Sequence, residues 1–368
     1  MKFSYKKSGV DYKLLDSIKR LAQSNSLKTG FNFKNTEFNE VAGSRGESAY
    51  VLETKNCYYA FVTEGLGTKN LVADEIEKKT GKSYYEGIAQ DTVAMIVNDL
   101  ITVGAKPLTI SAYWAVGDTN WWGYKKRAFD LISGWRKACD SANCGWGGGE
   151  TPTLKGIIKK GVIDLAGSGY GIIKPKERFS RGNRLKAGDT IIMFESSGIH
   201  ANGLTLARKL GYKLSNGFST KLPNGKMYGE ELLTPTIIYS RLIQDLLESG
   251  IDIHYMVNIT GHGWRKLMRA KKALSFVIDN IPRTPDIFHF IQKHSGLSDK
   301  EMYATFNMGV GFAIFIPKKD TDKVIKISIK NKIKVWIVGK VEKGVKQIYI
   351  KPKNILFTDK DLNIRQTY

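Results

Sequence analysis

The chain has 368 residues, 42% of them hydrophobic, and carries 57 Lys and Arg against 35 Asp and Glu for a net charge of +22. That length supports two domains with a sizeable core, and no apolar run reaches the roughly 20 residues that a membrane span requires. Three cysteines, Cys57, Cys139 and Cys144, have no zinc-ligand spacing and cannot form a disulfide framework, so they read as buried thiols of a cytoplasmic protein.

Met1-Lys2-Phe3-Ser4-Tyr5-Lys6-Lys7 leads into no apolar segment, so no secretory leader is expected. A helix is expected over about 12–22. Strands are expected over 48–53, 58–63 and 108–115, which are rich in β-branched and aromatic residues. Helices should cover 92–103, ended by Gly104, and 125–139. Residues 162–173 read as a strand interrupted by Gly167, Gly169 and Gly171. The polar stretch Lys174-Pro175-Lys176-Glu177-Arg178 divides the chain into domains 1–174 and 175–368. Beyond it come a strand over 190–194, helices over 203–210 and 235–249, a strand over 253–257, a helix over 262–270 and a strand over 275–279. The strand-rich first half predicts α+β, and the alternating second half predicts α/β. The lysine-rich stretch Lys323-Val324-Ile325-Lys326-Ile327-Ser328-Ile329-Lys330 has the pattern of a half-buried helix or strand with a solvated face. It belongs to the densest lysine stretch, Lys318 to Lys353, and the remaining lysines are spread over the whole chain rather than gathered in one tail, so nucleic acid is an unlikely partner.

Four motifs mix glycine with acidic, amide or hydroxyl side chains. Glycine lets backbone amides approach phosphate, and carboxylates hold the hard Mg²⁺ that accompanies a nucleoside triphosphate. The first is Glu64-Gly65-Leu66-Gly67-Thr68-Lys69, at the end of a strand. Its glycine loop can cradle phosphate with Lys69 as a point charge, or it can be a plain turn; it lacks the Walker A spacing. The second is Asp91-Thr92-Val93-Ala94-Met95-Ile96-Val97-Asn98-Asp99. Asp91 and Asn98 are seven residues apart and share a helix face. Asp91 stands where it could cap the helix, or with Asn98 it could hold Mg²⁺. The third is Gly147-Gly148-Gly149-Glu150-Thr151, whose glycines imply strained backbone or close approach. The fourth, Ser196-Ser197-Gly198-Ile199-His200-Ala201-Asn202-Gly203, joins a strand to a helix and has the makings of an anion site; the bland alternative is a structural loop histidine. Asn258-Ile259-Thr260-Gly261-His262-Gly263-Trp264 is a further glycine turn, read as a second phosphate contact or a plain turn.

In this order the motifs resemble the family of phosphoribosylformylglycinamidine cyclo-ligase, or AIR synthetase, of purine biosynthesis. Tyr5-Lys6-x-x-Gly9-Val10-Asp11, Gly104-Ala105-x-Pro107-Leu108, Asp164-Leu165-Ala166-Gly167, Leu233-Thr234-Pro235-Thr236-x-x-Tyr239 and Met302-Tyr303-x-Thr305-Phe306-Asn307-x-Gly309-Val310-Gly311 carry the similarity along the chain. The resemblance implies a two-domain protomer, a homodimer joined through the first domains, and a cleft for ATP and Mg²⁺. It implies closure of an imidazole ring from formylglycinamidine ribonucleotide, with ADP and phosphate released. On this resemblance Glu64, Asp91 and Asn98 hold Mg-ATP. Lys19, Gly65, Gly67, Thr68, Lys69, Gly148, Gly149 and Glu150 line the nucleotide site. Ser196, Ser197, Gly198, Thr260 and Gly261 meet the ribonucleotide, and Asp91, His200 and Asn202 are catalytic.

The chain departs from the family pattern at several points. Glu64 stands for an Asp, Thr153 for the second acid of the glycine-rich motif, Asn258 for a His, and His262 for a Gly. Another ATP-dependent activity of the same superfamily, on a different phosphorylated substrate, is the nearest alternative. A basic nucleic-acid-binding protein on the same scaffold is the other, and the acids Asp91, Asp99 and Glu150 argue against it.

Overall fold

The computed structural model describes residues 12–362, with side chains from residue 17 onward. The motif around Tyr5 and Asp11 lies outside the described residues. Helix α1 (Tyr12–Leu27) precedes a six-stranded sheet of β1 (Asn39–Glu40), β2 (Tyr50–Glu53), β3 (Tyr58–Gly65), β4 (Lys106–Val116), β5 (Gly145–Glu150) and β6 (Ile163–Ile173). Its order is β1-β2-β3-β6-β4-β5, antiparallel except for β4 beside β5. Helices α2 (Lys69–Thr80), α3 (Tyr85–Leu100), α4 (Asn120–Gly123) and α5 (Lys125–Ala142) complete this half.

Burial alternates along β6, so Leu165, Gly167, Gly169 and Gly171 face inward. These glycines do not interrupt the strand; they make room for α3. A Cβ on Gly169 would meet Ile96 Cγ2 at 2.4 Å, and one on Gly167 would meet Ile96 Cδ1 at 2.8 Å. The opposite face carries Phe61, Leu108 and Tyr113 exposed, with Tyr59 stacked on Tyr170 at 5.6 Å.

Helix α3 begins seven residues earlier than the sequence suggests, because Tyr85, Ile88 and Ala89 already bury a continuous helical face. Asp91 is therefore mid-helix, and its reading as an N-cap is corrected.

The second half holds β7 (Thr190–Glu195), β8 (Tyr255–Asn258), β9 (Leu274–Ile278), β10 (Val310–Ile316), β11 (Val335–Lys343), β12 (Gln347–Ile350) and β13 (Ile355–Thr358). They form a seven-stranded sheet, β13-β12-β9-β11-β7-β10-β8. Strands and helices alternate along the chain as expected, yet all pairs are antiparallel except β12 beside β9. Helices α6 (Leu204–Gly211), α7 (Tyr228–Leu232), α8 (Ser240–Glu248), α9 (Asp286–Ser295), α10 (Asp299–Thr305) and α11 (Thr321–Lys330) accompany it. The lysine-rich stretch is α11, with Val324 and Ser328 buried and its lysines exposed, as its pattern predicts. The expected helix over 235–249 forms only from Ser240, because the chain before it hydrogen-bonds to the first half. The expected helix over 262–270 is a 3₁₀ helix, Gly263–Arg269.

The two halves are joined along α3. Gln90 Nε2 donates to Thr236 O at 2.8 Å, and Asn98 Nδ2 donates to Ile237 O at 2.8 Å while its Oδ1 accepts from Tyr239 N at 3.0 Å. Ile101 sits in the core formed by β7, β10 and α8. One helix of the first half is thus built into the packing of the second.

Candidate active site

A cleft of about 450 Å³ opens where the halves meet. Lys19 and Gln23 of α1 reach it from one side. Glu64 at the end of β3 and Met95 and Asp99 in the last turns of α3 form its floor. Asn202, Thr260, Gly261, His262, Lys266 and Arg269 come from the second half.

The charges are held in place by their neighbours. Asn258 Nδ2 donates to Asp99 Oδ1 at 2.8 Å. Lys266 Nζ donates to Thr260 Oγ1 at 2.7 Å. Arg269 donates to Ser48 Oγ at 2.9 Å and Gly46 O at 2.6 Å, and lies 3.6 Å from Glu47. Burial, and then the Asp99 carboxylate, push Glu64 up to about 7. Burial likewise pulls Lys266 down to about 8, with Asp99 and Glu64 acting against it. His262 falls to about 3, through burial and then the Lys266 and Arg265 charges, so its imidazole is neutral at physiological pH.

Two acids lining one cleft with cations around them suit a hard divalent cation shared with a phosphate ligand. Mg²⁺ ordinarily takes one or two protein carboxylates plus phosphate oxygens. Glu64 and Asp99 supply that number. No cluster of three or more His, Cys, Asp or Glu able to hold a metal by itself exists among the described residues.

The structure brings Lys19, Glu64, Asn202, Thr260 and Gly261 together in this cleft, as their motifs suggest. Other expected site residues lie elsewhere. Asp91 is fully buried, with Lys69 Nζ 2.8 Å from both carboxylate oxygens. Thr236 N donates to Asp91 at 2.8 Å, and Thr236 Oγ1 donates to it as well. Lys69 gives a further bond to Thr234 O at 2.8 Å. The hydrogen-bond donors of its own chain converge on Oδ1, while Oδ2 has the Lys69 charge 2.8 Å away and no hydrogen-bond partner; the buried pair lies outside the cleft lining, so the structure does not bring Asp91 or Lys69 to the other expected site residues. Burial favours the neutral forms of both, and the ion pair opposes it. Asn98 shares the face of Asp91 as its spacing requires, both its amide atoms bond backbone groups of the second half, and it is not among the residues that line the cleft.

His200 is buried, in the left-handed region at φ 60°, and its Nε2 accepts from Ser197 N at 3.2 Å. Burial and the nearby Lys69 charge hold it down at about 3. It fastens the turn as a neutral imidazole and is not among the residues that line the cleft. Ser196 Oγ donates to Asn307 Oδ1 at 3.0 Å, Asn307 Nδ2 donates to Gly198 O at 2.8 Å, and Ser197 Oγ donates to Pro235 O at 2.5 Å. This turn is held from within, and of its residues Asn202 reaches the cleft.

Gly148, Gly149 and Glu150 are exposed on the edge strand β5, away from the cleft lining. The close approach that Gly149 needs is to its own sheet, since a Cβ there would meet Ala112 O at 2.0 Å. Gly65 and Gly67 are exposed beside the cleft, Gly67 at φ 77°, and Thr68 precedes α2 with its hydroxyl buried and without a hydrogen-bond partner.

Sequence reasoning missed Asp99, Lys266 and Arg269 as site residues. Asp99 was in view within the Asn98-Asp99 pair. Lys266 and Arg269 are three apart and share a face in an α-helix as in the 3₁₀ helix that forms; which way that face points was not legible, because it depends on the packing of the two halves.

The chain thus has two parts, each built on a mixed sheet, with a charged cleft where they meet. The family described as AIR synthase related protein matches in both parts: its N-terminal domain over residues 46–173 and its C-terminal domain over residues 186–351. The chain belongs to the AIR synthase family. It is similar to the phosphoribosylformylglycinamidine cyclo-ligase of Methanococcus vannielii, 36% identical over 343 residues, 93% of each chain. That of Carboxydothermus hydrogenoformans is 35% identical over 368 aligned residues, covering 94% of this chain and 98% of its own. Among solved structures, a HypE–HypF complex matches at TM-score 0.61 with 17% identity, covering 92% of this chain and 98% of the other. AaThiL complexed with AMPPCP and TMP matches at TM-score 0.60 with 14% identity, covering 96% and 97%. At such identities the structures establish the fold alone.

Proposed function

We propose that this chain closes the imidazole ring of aminoimidazole ribonucleotide, using ATP and formylglycinamidine ribonucleotide and releasing ADP and phosphate, in purine biosynthesis. The observation that carries this reading is the match to relatives named phosphoribosylformylglycinamidine cyclo-ligase across 93% of this chain and of theirs. The cleft supports it. Glu64 and Asp99 would hold Mg²⁺, which supplies charge neutralisation on the nucleotide's phosphates. Asn258 fixes the Asp99 carboxylate, Thr260 fixes Lys266, and Arg269 ties the Gly46–Ser48 loop to the second half. An amide oxygen is a poor leaving group. Phosphorylated, it departs as phosphate when the amidine nitrogen attacks. The chain's part is to hold the two substrates with aligned reacting atoms and to exclude water.

We assign residues 1–174 and 175–368 as the two domains, in a cytoplasmic homodimer. The exposed apolar face of the first sheet, with Phe61, Leu108 and Tyr113, supports pairing of first domains. No helix among the described residues is long and apolar enough to cross a membrane.

The test is incubation of the purified protein with Mg-ATP, with and without formylglycinamidine ribonucleotide, following ADP and the aromatic amine of the product. ADP formation that depends on the ribonucleotide, with equal amine, is expected. ATP hydrolysis indifferent to the ribonucleotide, or no amine, refutes the reading.

A further inference from the structure

Lys266 is the most conspicuous unsatisfied cation of the cleft. It is 5% exposed, yet it lines the cavity at the junction of the halves. An ammonium has three N–H donors. Its one hydrogen-bond partner among the described residues is Thr260 Oγ1, at 2.7 Å. No carboxylate lies within ion-pairing distance of it there, although Glu64 and Asp99 are close enough to feel its charge. The neighbouring Arg269 is different, because both its terminal nitrogens donate, to Ser48 and Gly46, and Glu47 pairs with its charge at 3.6 Å, although its Nε makes no hydrogen bond. A buried ammonium with two idle donors is costly to fold around. Such a cost persists where a ligand supplies the missing acceptors.

The ligand's class follows from the surroundings. The idle donors face the space that Glu64 and Asp99 also face. A bare carboxylate ligand there would be repelled by two acids. A group of several anionic oxygens carrying its own divalent cation would not, since the cation sits on the acids and the remaining oxygens turn to the ammonium. Lys also suits a phosphoryl group as a point charge, without the planar fork of Arg.

We propose that Lys266 donates to the terminal phosphoryl oxygens of the bound nucleoside triphosphate and stabilises the charge that develops there during transfer. This rests on the reading of the cleft as the site of an ATP-dependent ligase. Thr260 is then a positioning residue: its hydroxyl orients the ammonium and leaves two donors free.

The experiment compares the wild-type protein with Lys266→Met and Lys266→Gln. Calorimetry with Mg²⁺ measures binding of AMP, of ADP and of a non-hydrolysable ATP analogue, and of ribose 5-phosphate. The expected result is a loss of at least about tenfold in affinity for the ATP analogue in both variants, with AMP binding changed less than about twofold. Turnover should fall about a hundredfold with little change in KM for the ribonucleotide. The ligand-free variants should melt at or above the wild-type temperature, because the substitution removes an under-paired buried charge. Equal affinities for the analogue in all three proteins overturn the proposal while leaving the ATP-site reading intact. Selective loss of ribose 5-phosphate binding also overturns it, assigning Lys266 to the other substrate's phosphate. A marked fall in melting temperature for both variants shows a structural cation and overturns it as well. Wild-type protein that binds no nucleotide refutes the underlying reading, and Lys266's role with it.

Discussion

Replacing Asp91 by Asn tests the reassignment of the most conspicuous acid in the chain. Asn is nearly the same size and keeps an oxygen for Thr236, so packing is conserved. What disappears is the countercharge of Lys69, whose ammonium lies 2.8 Å from both carboxylate oxygens with both side chains fully buried. At 2.8 Å and an effective dielectric of 20 the gross attraction is about 6 kcal/mol. Part of that is offset because the pair was desolvated on folding. Removing one member of a buried pair leaves a net loss of about 3–5 kcal/mol. The new amide also points N–H donors at an ammonium that only donates. Lys69 retains two neutral acceptors, the Asn oxygen and Thr234 O, and no countercharge. The melting temperature should fall by roughly 10 °C, and by a similar amount with and without Mg²⁺. Adding Lys69→Met should recover much of the loss, since no lone charge then remains. Urea or thermal denaturation followed by circular dichroism measures all three proteins. If Asp91→Asn kept wild-type stability and instead raised the Mg²⁺ concentration needed for turnover, the buried-pair argument would fail and a metal role would return.

Four further outcomes follow from the structure. His200→Ala removes the acceptor of Ser197 N and opens a buried space, so it should cost about 2–3 kcal/mol and weaken use of both substrates alike; a selective rise in the ribonucleotide KM, with unchanged stability, contradicts this. His200 also makes stability pH-dependent: its folded value of about 3 lies below the ordinary 6.5, so its contribution is complete above 6.5 and is lost as pH falls towards 3, a component that pH-dependent unfolding should find missing in the Ala variant. Glu64 has the opposite sign, because its folded value of about 7 lies above 4.5; its contribution is complete below 4.5 and is lost as pH rises to 7, at most about 3 kcal/mol, so Glu64→Gln should flatten the apo-protein's stability over that window, and an unchanged pH profile rejects the desolvated-acid picture. Finally, Phe61→Arg with Tyr113→Arg on the open sheet face should shift sedimentation from dimer to monomer, and an unaltered sedimentation profile rules out that interface.

Periodicity and motif order made much of this protein legible. Seven residues between Asp91 and Asn98 put them on one face of a helix in any fold, and the glycines at 167, 169 and 171 kept one face of a strand bare. The successive glycine motifs identified the family, and the pattern of Lys323–Lys330 a solvated face on a helix or strand. Chemistry at those positions was another matter, because it depends on what each face meets. The Asp91–Asn98 face meets residues 234–239, about 140 positions away in sequence, and their backbone groups consume the acid and the amide as structural links. One position further round the same helix, Asp99 turns into the cleft, where Asn258 orients it beside Glu64. Lys266 and Arg269 share one face of their short helix at a spacing of three, but only the meeting of the two halves turns that face to the cleft. Local sequence sets helices, strands and the faces they present. Whether a charged side chain on such a face becomes a saturated link or an open ligand is decided by desolvation and by the donors and acceptors that long-range packing brings to it.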